Sequence, residues 1–235
     1  TKPDDQDSTN IGGGVAVDQG VVYATNGLGQ AVAMDAATGA VKWRVDIGAP
    51  ARSSPTVAEG RLFVVTVEDR LAALSAADGH TIWSYRAPES RTSLLGRPAP
   101  AFSRGLVVAG FGGGEVAALR ADSGRVAWTE GLGASRGRSS LADLATVRGA
   151  PAIADGRVFA MGMGGLSAAI DLPSGRRLWE LPAGGQESPA IAGEWAFLLT
   201  ADQELIAART EDGQVAWVSP LPRWEDQEAR KNALT

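Results

Sequence analysis

The 235-residue chain has no cysteine, a single histidine (His80) and only three lysines (Lys2, Lys42 and Lys231). Without cysteine there are no disulfides, thiolate metal sites or cysteine nucleophiles. One histidine excludes multi-histidine metal centres, and no second imidazole could complete a Ser-His-Asp set elsewhere. His80 falls in Asp78-Gly79-His80, which reads as an exposed turn. No apolar run approaches the ~18 residues of a membrane-spanning helix. No helical period sustains itself either. A formal charge of −5 disfavours a general nucleic-acid binder, and the shortage of lysine beside many arginines reads as codon bias.

Two glycine clusters, Gly112-Gly113-Gly114 and Gly162-Met163-Gly164-Gly165, neither open a helix nor carry the lysine of a phosphate-binding loop, so they read as tight turns. Asp35, Asp143, Asp171 and Glu115 form no recognisable acid–base constellation. The sequence therefore assigns no catalytic residue, no metal ligand and no cofactor.

What is abundant is glycine in register with tryptophan. A turn ending in Gly is followed four residues later by Trp five times: Gly39/Trp43, Gly79/Trp83, Gly124/Trp128, Gly175/Trp179 and Gly213/Trp217. Six residues before each motif glycine stands an alanine: Ala33, Ala73, Ala118, Ala169 and Ala207. Further upstream a second glycine (Gly20, Gly60, Gly105, Gly156, Gly193) opens an apolar run, 19 residues before the motif glycine four times and 20 once. Glycine at the two turns suits a φ above zero, and turn signals at this spacing point to an all-β fold. Each unit reads as a four-stranded antiparallel β-meander. Successive tryptophans lie 40, 45, 51 and 38 residues apart, the period of propeller blades.

One blade has two apolar faces and must stack on its neighbours, with the tryptophan as the expected wedge. The chain is read as one β-propeller domain over 1–235, with repeats at about 12–45, 52–85, 97–130, 149–181 and 187–219. Segments 1–11 and 220–235 flank it as tails or parts of neighbouring blades. The polar start, Thr1 to Asn10, has no signal-peptide character. Nothing at the termini resembles a shared closing strand, so an incomplete arc is expected rather than a closed five-blade ring.

Length variation collects between each tryptophan and the next unit's first glycine, at 17, 22, 28 and 14 residues. All such connections leave one face of a propeller. The two long ones are consecutive. The first, 84–97, presents Leu94 and Leu95 beside Arg91 and Arg97; the second, 129–149, holds Arg136, Arg138, Leu141, Asp143, Leu144 and Arg148. Leucine supplies buried area and arginine planar hydrogen bonds, as a protein-binding patch requires. The competing reading has these loops folding back to plug the blade seams.

The form Ala-(Leu/Met/Ile)-x-x-x-(Asp/Thr/Ser)-Gly-x-x-x-Trp, as in Ala73-Leu-Ser-Ala-Ala-Asp-Gly-His-Thr-Ile-Trp83, resembles the repeat of the PQQ-like eight-bladed propellers. WD40 repeats fit less well, because Arg44, Ser84, Thr129, Glu180 and Val218 follow the tryptophans where that pattern has Asp. Within the superfamily, Ser93-Leu-Leu-Gly-Arg-Pro-Ala-Pro100 and the run from Arg138 to Pro151 resemble two neighbouring loops of the BamB family of outer-membrane assembly lipoproteins. That resemblance implies about five of eight blades and a non-catalytic scaffold at the periplasmic face of the outer membrane, lipid-anchored in its full-length form. The implied partner is the POTRA region of a BamA-like barrel protein, with unfolded outer-membrane proteins as further clients. It also implies roles: Leu94 and Leu95 as apolar anchors, Arg97 as a charged contact and Asp143 as the acidic contact. The family's second acidic residue, two after the first, is Ala145 here, the order of Leu and Arg is shifted, and no lipid-bearing cysteine is present. The alternatives are a fragment of a PQQ-dependent quinoprotein dehydrogenase and a PQQ-like propeller with another protein partner.

Overall fold

The computed structural model describes residues 12–88, 97–133 and 146–222. They form five four-stranded antiparallel sheets, each with its strands in chain order. The first blade is built from Val15–Asp18, Val21–Thr25, Gln30–Asp35 and Val41–Asp46; blades 2 to 5 span 56–86, 101–131, 152–181 and 190–220. The first strands of neighbouring blades touch one another and thus line the axis. They are short, as in Thr56–Ala58 and Ala152–Ala154. The fourth strands, such as Val41–Asp46, face outward and are mostly exposed. The all-β propeller fold expected from the repeat is the observed fold.

A row of three residues across each sheet explains the repeated alanine. Ala33 pairs with Tyr23 on one side and Trp43 on the other, and Ala73 likewise stands between Phe63 and Trp83. The flanking rings meet over the alanine methyl, with centroids 6.1 Å apart for Tyr23–Trp43 and 6.0 Å for Phe63–Trp83. A larger side chain between them would push the rings apart. Directly after the alanine the register slips in all five blades, a bulge that adds local twist and turns the outer strand.

The motif glycine and tryptophan work between blades rather than within one. The Trp43 indole N–H donates to the carbonyl of Ala76 at 3.0 Å, in the next blade. Trp83 reaches Ala121 at 2.9 Å, Trp128 reaches Leu172 at 2.7 Å and Trp179 reaches Thr210 at 3.0 Å. Each indole also lies on the motif glycine of that next blade. A Cβ at Gly79 would stand 2.7 Å from the Trp43 ring, and one at Gly175 only 2.4 Å from Trp128. The glycine is thus required twice, for a φ near +74° at Gly175 and for the approach of the ring. Trp217 departs from the wedge expected of it: no blade follows it among the described residues, and it remains 45% exposed.

Apolar packing fills the same seams. Between blades 1 and 2, Tyr23, Ala33 and Trp43 meet Leu62, Val64 and Leu74. Between blades 3 and 4, Val108, Trp128 and Leu132 meet Val158, Ala160 and Ile170. Among the described residues no helix is long and apolar enough to cross a membrane.

Candidate functional site

Chain direction divides the arc into two faces. The turns between first and second strands and between third and fourth strands, with their glycines, lie on one. The turns between second and third strands lie on the other, together with every blade-to-blade connector: 47–55, 87–100, 132–151 and 182–189. The two longest are consecutive and straddle blade 3. Leu94 and Leu95 lie in 89–96 and Asp143 in 134–145, outside the described residues. The roots of both connectors are described, and they are tied together.

Arg97, at the root of the first long connector, is 3% exposed. Its Nε and Nη2 donate to the two carboxylate oxygens of Asp69, the latter at 3.0 Å. Asp69 belongs to the second turn of blade 2, and its Oδ1 also accepts the backbone N–H of Gly112 in the matching turn of blade 3, at 2.8 Å. From the other side of the same residue, the Gly112 carbonyl accepts Thr146 Oγ1 at 2.9 Å, at the root of the second long connector. Backbone bonds continue the chain: Val147 N–H to Phe111 carbonyl at 3.1 Å, and Met163 N–H to Thr146 carbonyl at 3.0 Å. Three blade turns and two connector roots therefore share one buried polar joint centred on Gly112. A side chain there would collide with Arg97, whose Nη2 would lie 2.4 Å from an added Cβ.

Each partner in this joint offsets the other's desolvation, because a buried charge is tolerated only when paired and hydrogen-bonded. The sequence reading treated Arg97 as a charged surface contact; its guanidinium instead turns inward to Asp69. Asp69 itself was missed. A weak signal existed, since Asp69 takes φ +56° where blades 1, 3 and 4 place Gly29, Gly114 and Gly165, although blade 5 also places a side chain there, Gln203 at φ +59°. Aspartate is among the residues that left-handed backbone accepts, and here its carboxylate is held by Arg97 and the Gly112 N–H.

Beside the joint, the Tyr85 hydroxyl donates to Glu115 at 2.8 Å across the seam of blades 2 and 3. Burial, and then the Glu115 carboxylate, push the Tyr85 phenol far above its ordinary range, so it is a permanent donor. Arg148, beside Thr146, donates to Gln186 at 2.8 Å in the connector that follows. The connector face is thus laced by side chains that cross from blade to blade.

His80 lies in an exposed turn, with Nδ1 2.7 Å from Asp78. Among the described residues no group of three or more His, Cys, Asp or Glu converges as a metal site. The glycine clusters at 112–114 and 162–165 lie at second turns, as expected. On the opposite face an open groove between blades 4 and 5 is lined by Asp155, Arg157, Glu194, Arg209 and Glu211, charges of both signs spread over three turns.

Comparison with known proteins gives this face its context. Outer membrane protein assembly factor BamB of Escherichia coli (strain K12) is 28% identical over 207 residues, covering 88% of this chain and 53% of that protein. The chain thus spans about half the length of the curated relatives it matches. Among solved structures, BamB from Moraxella catarrhalis superimposes with a TM-score of 0.81 at 24% identity, over 88% of this chain and 63% of that one. A europium-containing methanol dehydrogenase shares the fold at a TM-score of 0.71 and 14% identity, over 89% and 51% of the two chains. The model of the family described as outer membrane protein assembly factor BamB matches residues 4–219, and the chain belongs to that family.

Proposed function

We propose that this chain is a non-catalytic scaffold of outer-membrane β-barrel assembly, working at the periplasmic face of the outer membrane. It binds the POTRA region of a BamA-type barrel protein through the two adjacent connectors 84–97 and 129–149. The observation that carries this reading is the joint at Gly112, which holds the roots of both connectors on one face of one blade. Leu94 and Leu95 serve as apolar anchors and Asp143 as the acidic contact, while Arg97 supports them by fixing the root of its connector against Asp69. Two short apolar and charged patches on rigid roots form a bipartite surface, which lowers the ordering cost of binding. Membership of the BamB family supports this class of partner.

The test is capture by an immobilised POTRA region. Leu94→Ala combined with Asp143→Ala should abolish capture while melting behaviour stays unchanged. Retention at the original level removes these loops from the assignment. A quinone-dependent oxidoreductase is favoured instead if the chain takes up PQQ stoichiometrically and oxidises alcohols with a dye acceptor, since the fold alone is shared with such enzymes.

A further inference from the structure

The two long connectors close on neighbouring turns, and those turns share a bond. The first connector begins at Ala87, whose N–H donates to the Asp69 carbonyl at 2.9 Å, and its described end is Arg97, whose guanidinium holds the Asp69 carboxylate. Both of its roots therefore rest on one residue of blade 2. The second begins at Leu132, whose N–H donates to the Gly114 carbonyl at 2.8 Å, and returns at Thr146, whose hydroxyl donates to the Gly112 carbonyl. Both of its roots rest on one turn of blade 3. Between the two closures stands the bond from the Gly112 N–H to Asp69 Oδ1.

Apolar packing brings the same roots together. Gly110 stands where the other four blades carry Thr25, Val65, Met161 and Leu199. A Cβ there would lie 2.4 Å from Val147 Cγ1 and 3.4 Å from Pro98 Cγ, so one residue from each connector packs where that side chain would stand. Thr146 and Val147 are fully buried, and the Arg97 side chain is 1% exposed. Polar groups sealed in this way cannot trade their partners for water, so loosening one root leaves groups of the other unsatisfied. We infer that Asp69 and Thr146 are positioning residues that bind the two connectors into one unit, in which undocking either root releases the other. The consequence for binding rests on the reading of these connectors as the partner-binding surface: the partner meets one preset surface, and its ordering cost is met once for both halves.

Hydrogen exchange resolved to single amides tests the coupling without any partner. Asp69→Asn weakens the hold on the first connector and should speed exchange of the Val147 and Met163 N–H groups at the second root on the order of tenfold. Thr146→Val removes one hydroxyl from the second root and should speed the Gly112 N–H, which Asp69 holds, as reciprocity requires. Thr146→Ser keeps the hydroxyl and should restore the slow rate. The Ile47 N–H, bonded to the Gly29 carbonyl at 2.7 Å outside the joint, should keep its rate throughout. Unchanged exchange at the opposite root overturns the inference, and so does equal acceleration at Ile47. Thr146→Val nearly conserves shape, so its half of the test stands even where Asp69→Asn fails to fold. Capture by the immobilised POTRA region then tests the consequence. Each variant should weaken capture about tenfold, and the two combined no further, since one joint is broken either way. Losses that multiply overturn the inference. The two failures are told apart, because absence of capture by the unaltered chain removes the partner while the exchange rates still decide the coupling.

Discussion

Trp128 and Trp217 occupy the same place in the same motif, yet one is 8% exposed and the other 45%. Each pairs with its alanine, Ala118 or Ala207, in identical register within its own blade. Trp128 in addition lies on Gly175 and donates to Leu172 in blade 4, while Trp217 meets no following blade among the described residues. The blade therefore forms from its own sequence. What the tryptophan contributes to stability is supplied by the neighbour it enters.

The sharpest way to break this comparison is to truncate both. Trp128→Ala should cost about 3–5 kcal/mol, since it empties a sealed seam. Trp217→Ala should cost under about 1 kcal/mol, as for other exposed substitutions. Denaturant titration measures both, and equal costs would end the argument. The polar contacts offer a second, smaller contrast. Arg97→Met leaves the Asp69 carboxylate buried with the Gly112 N–H still donating to it, and should cost about 3 kcal/mol, the low end for a broken buried pair. Arg209 meets Asp212 at 3.7 Å with both side chains about half exposed, and Arg209→Ala should change stability by no more than about 0.5 kcal/mol.

The smallest effect concerns acid. In blade 1, Thr38 donates to Asp35 from its hydroxyl at 2.8 Å and its N–H at 2.9 Å; Ser174 does the same to Asp171 in blade 4. The hydroxyl bonds, ahead of the backbone bonds, hold both carboxyls below their ordinary range. A lowered folded-state value contributes stability above the unfolded value, about 3.9, that is lost as pH falls through the folded one. Melting temperature should therefore decline below about pH 4, and Asp35→Asn or Asp171→Asn should each flatten part of that decline. Both turns are exposed, so the end blade and the inner blade should respond alike. A larger response at Asp35 would show that the end blade frays independently of the rest.

The repeated Gly/Trp spacing, the four strands per unit and the placement of both glycine clusters in turns were legible because each depends on residues close together in the chain. The seam was not. The acceptor for Trp128 stands 44 residues further on and that for Trp179 stands 31 further on, so no fixed spacing marks them. The joint was hidden for a related reason: Asp69, Arg97, Gly112 and Thr146 come from two blades and two connectors. Asp69, standing where blades 1, 3 and 4 have glycine and blade 5 has Gln203, left only a weak trace in the sequence. The pairing of Arg97 was not legible, because an arginine beside leucines reads the same whether its guanidinium faces a partner or a buried carboxylate.

In each of the four inner seams the indole donates to a main-chain oxygen, whether the residue is Ala76, Ala121, Leu172 or Thr210. Side-chain identity at the acceptor is thereby left free to drift, while the fit survives. The indole bond is common to the inner seams, whereas the joint of Asp69, Arg97, Gly112 and Thr146 belongs to one place in the arc. Divergence down to about a quarter identity, as with the Moraxella catarrhalis protein, is what such main-chain bonding permits.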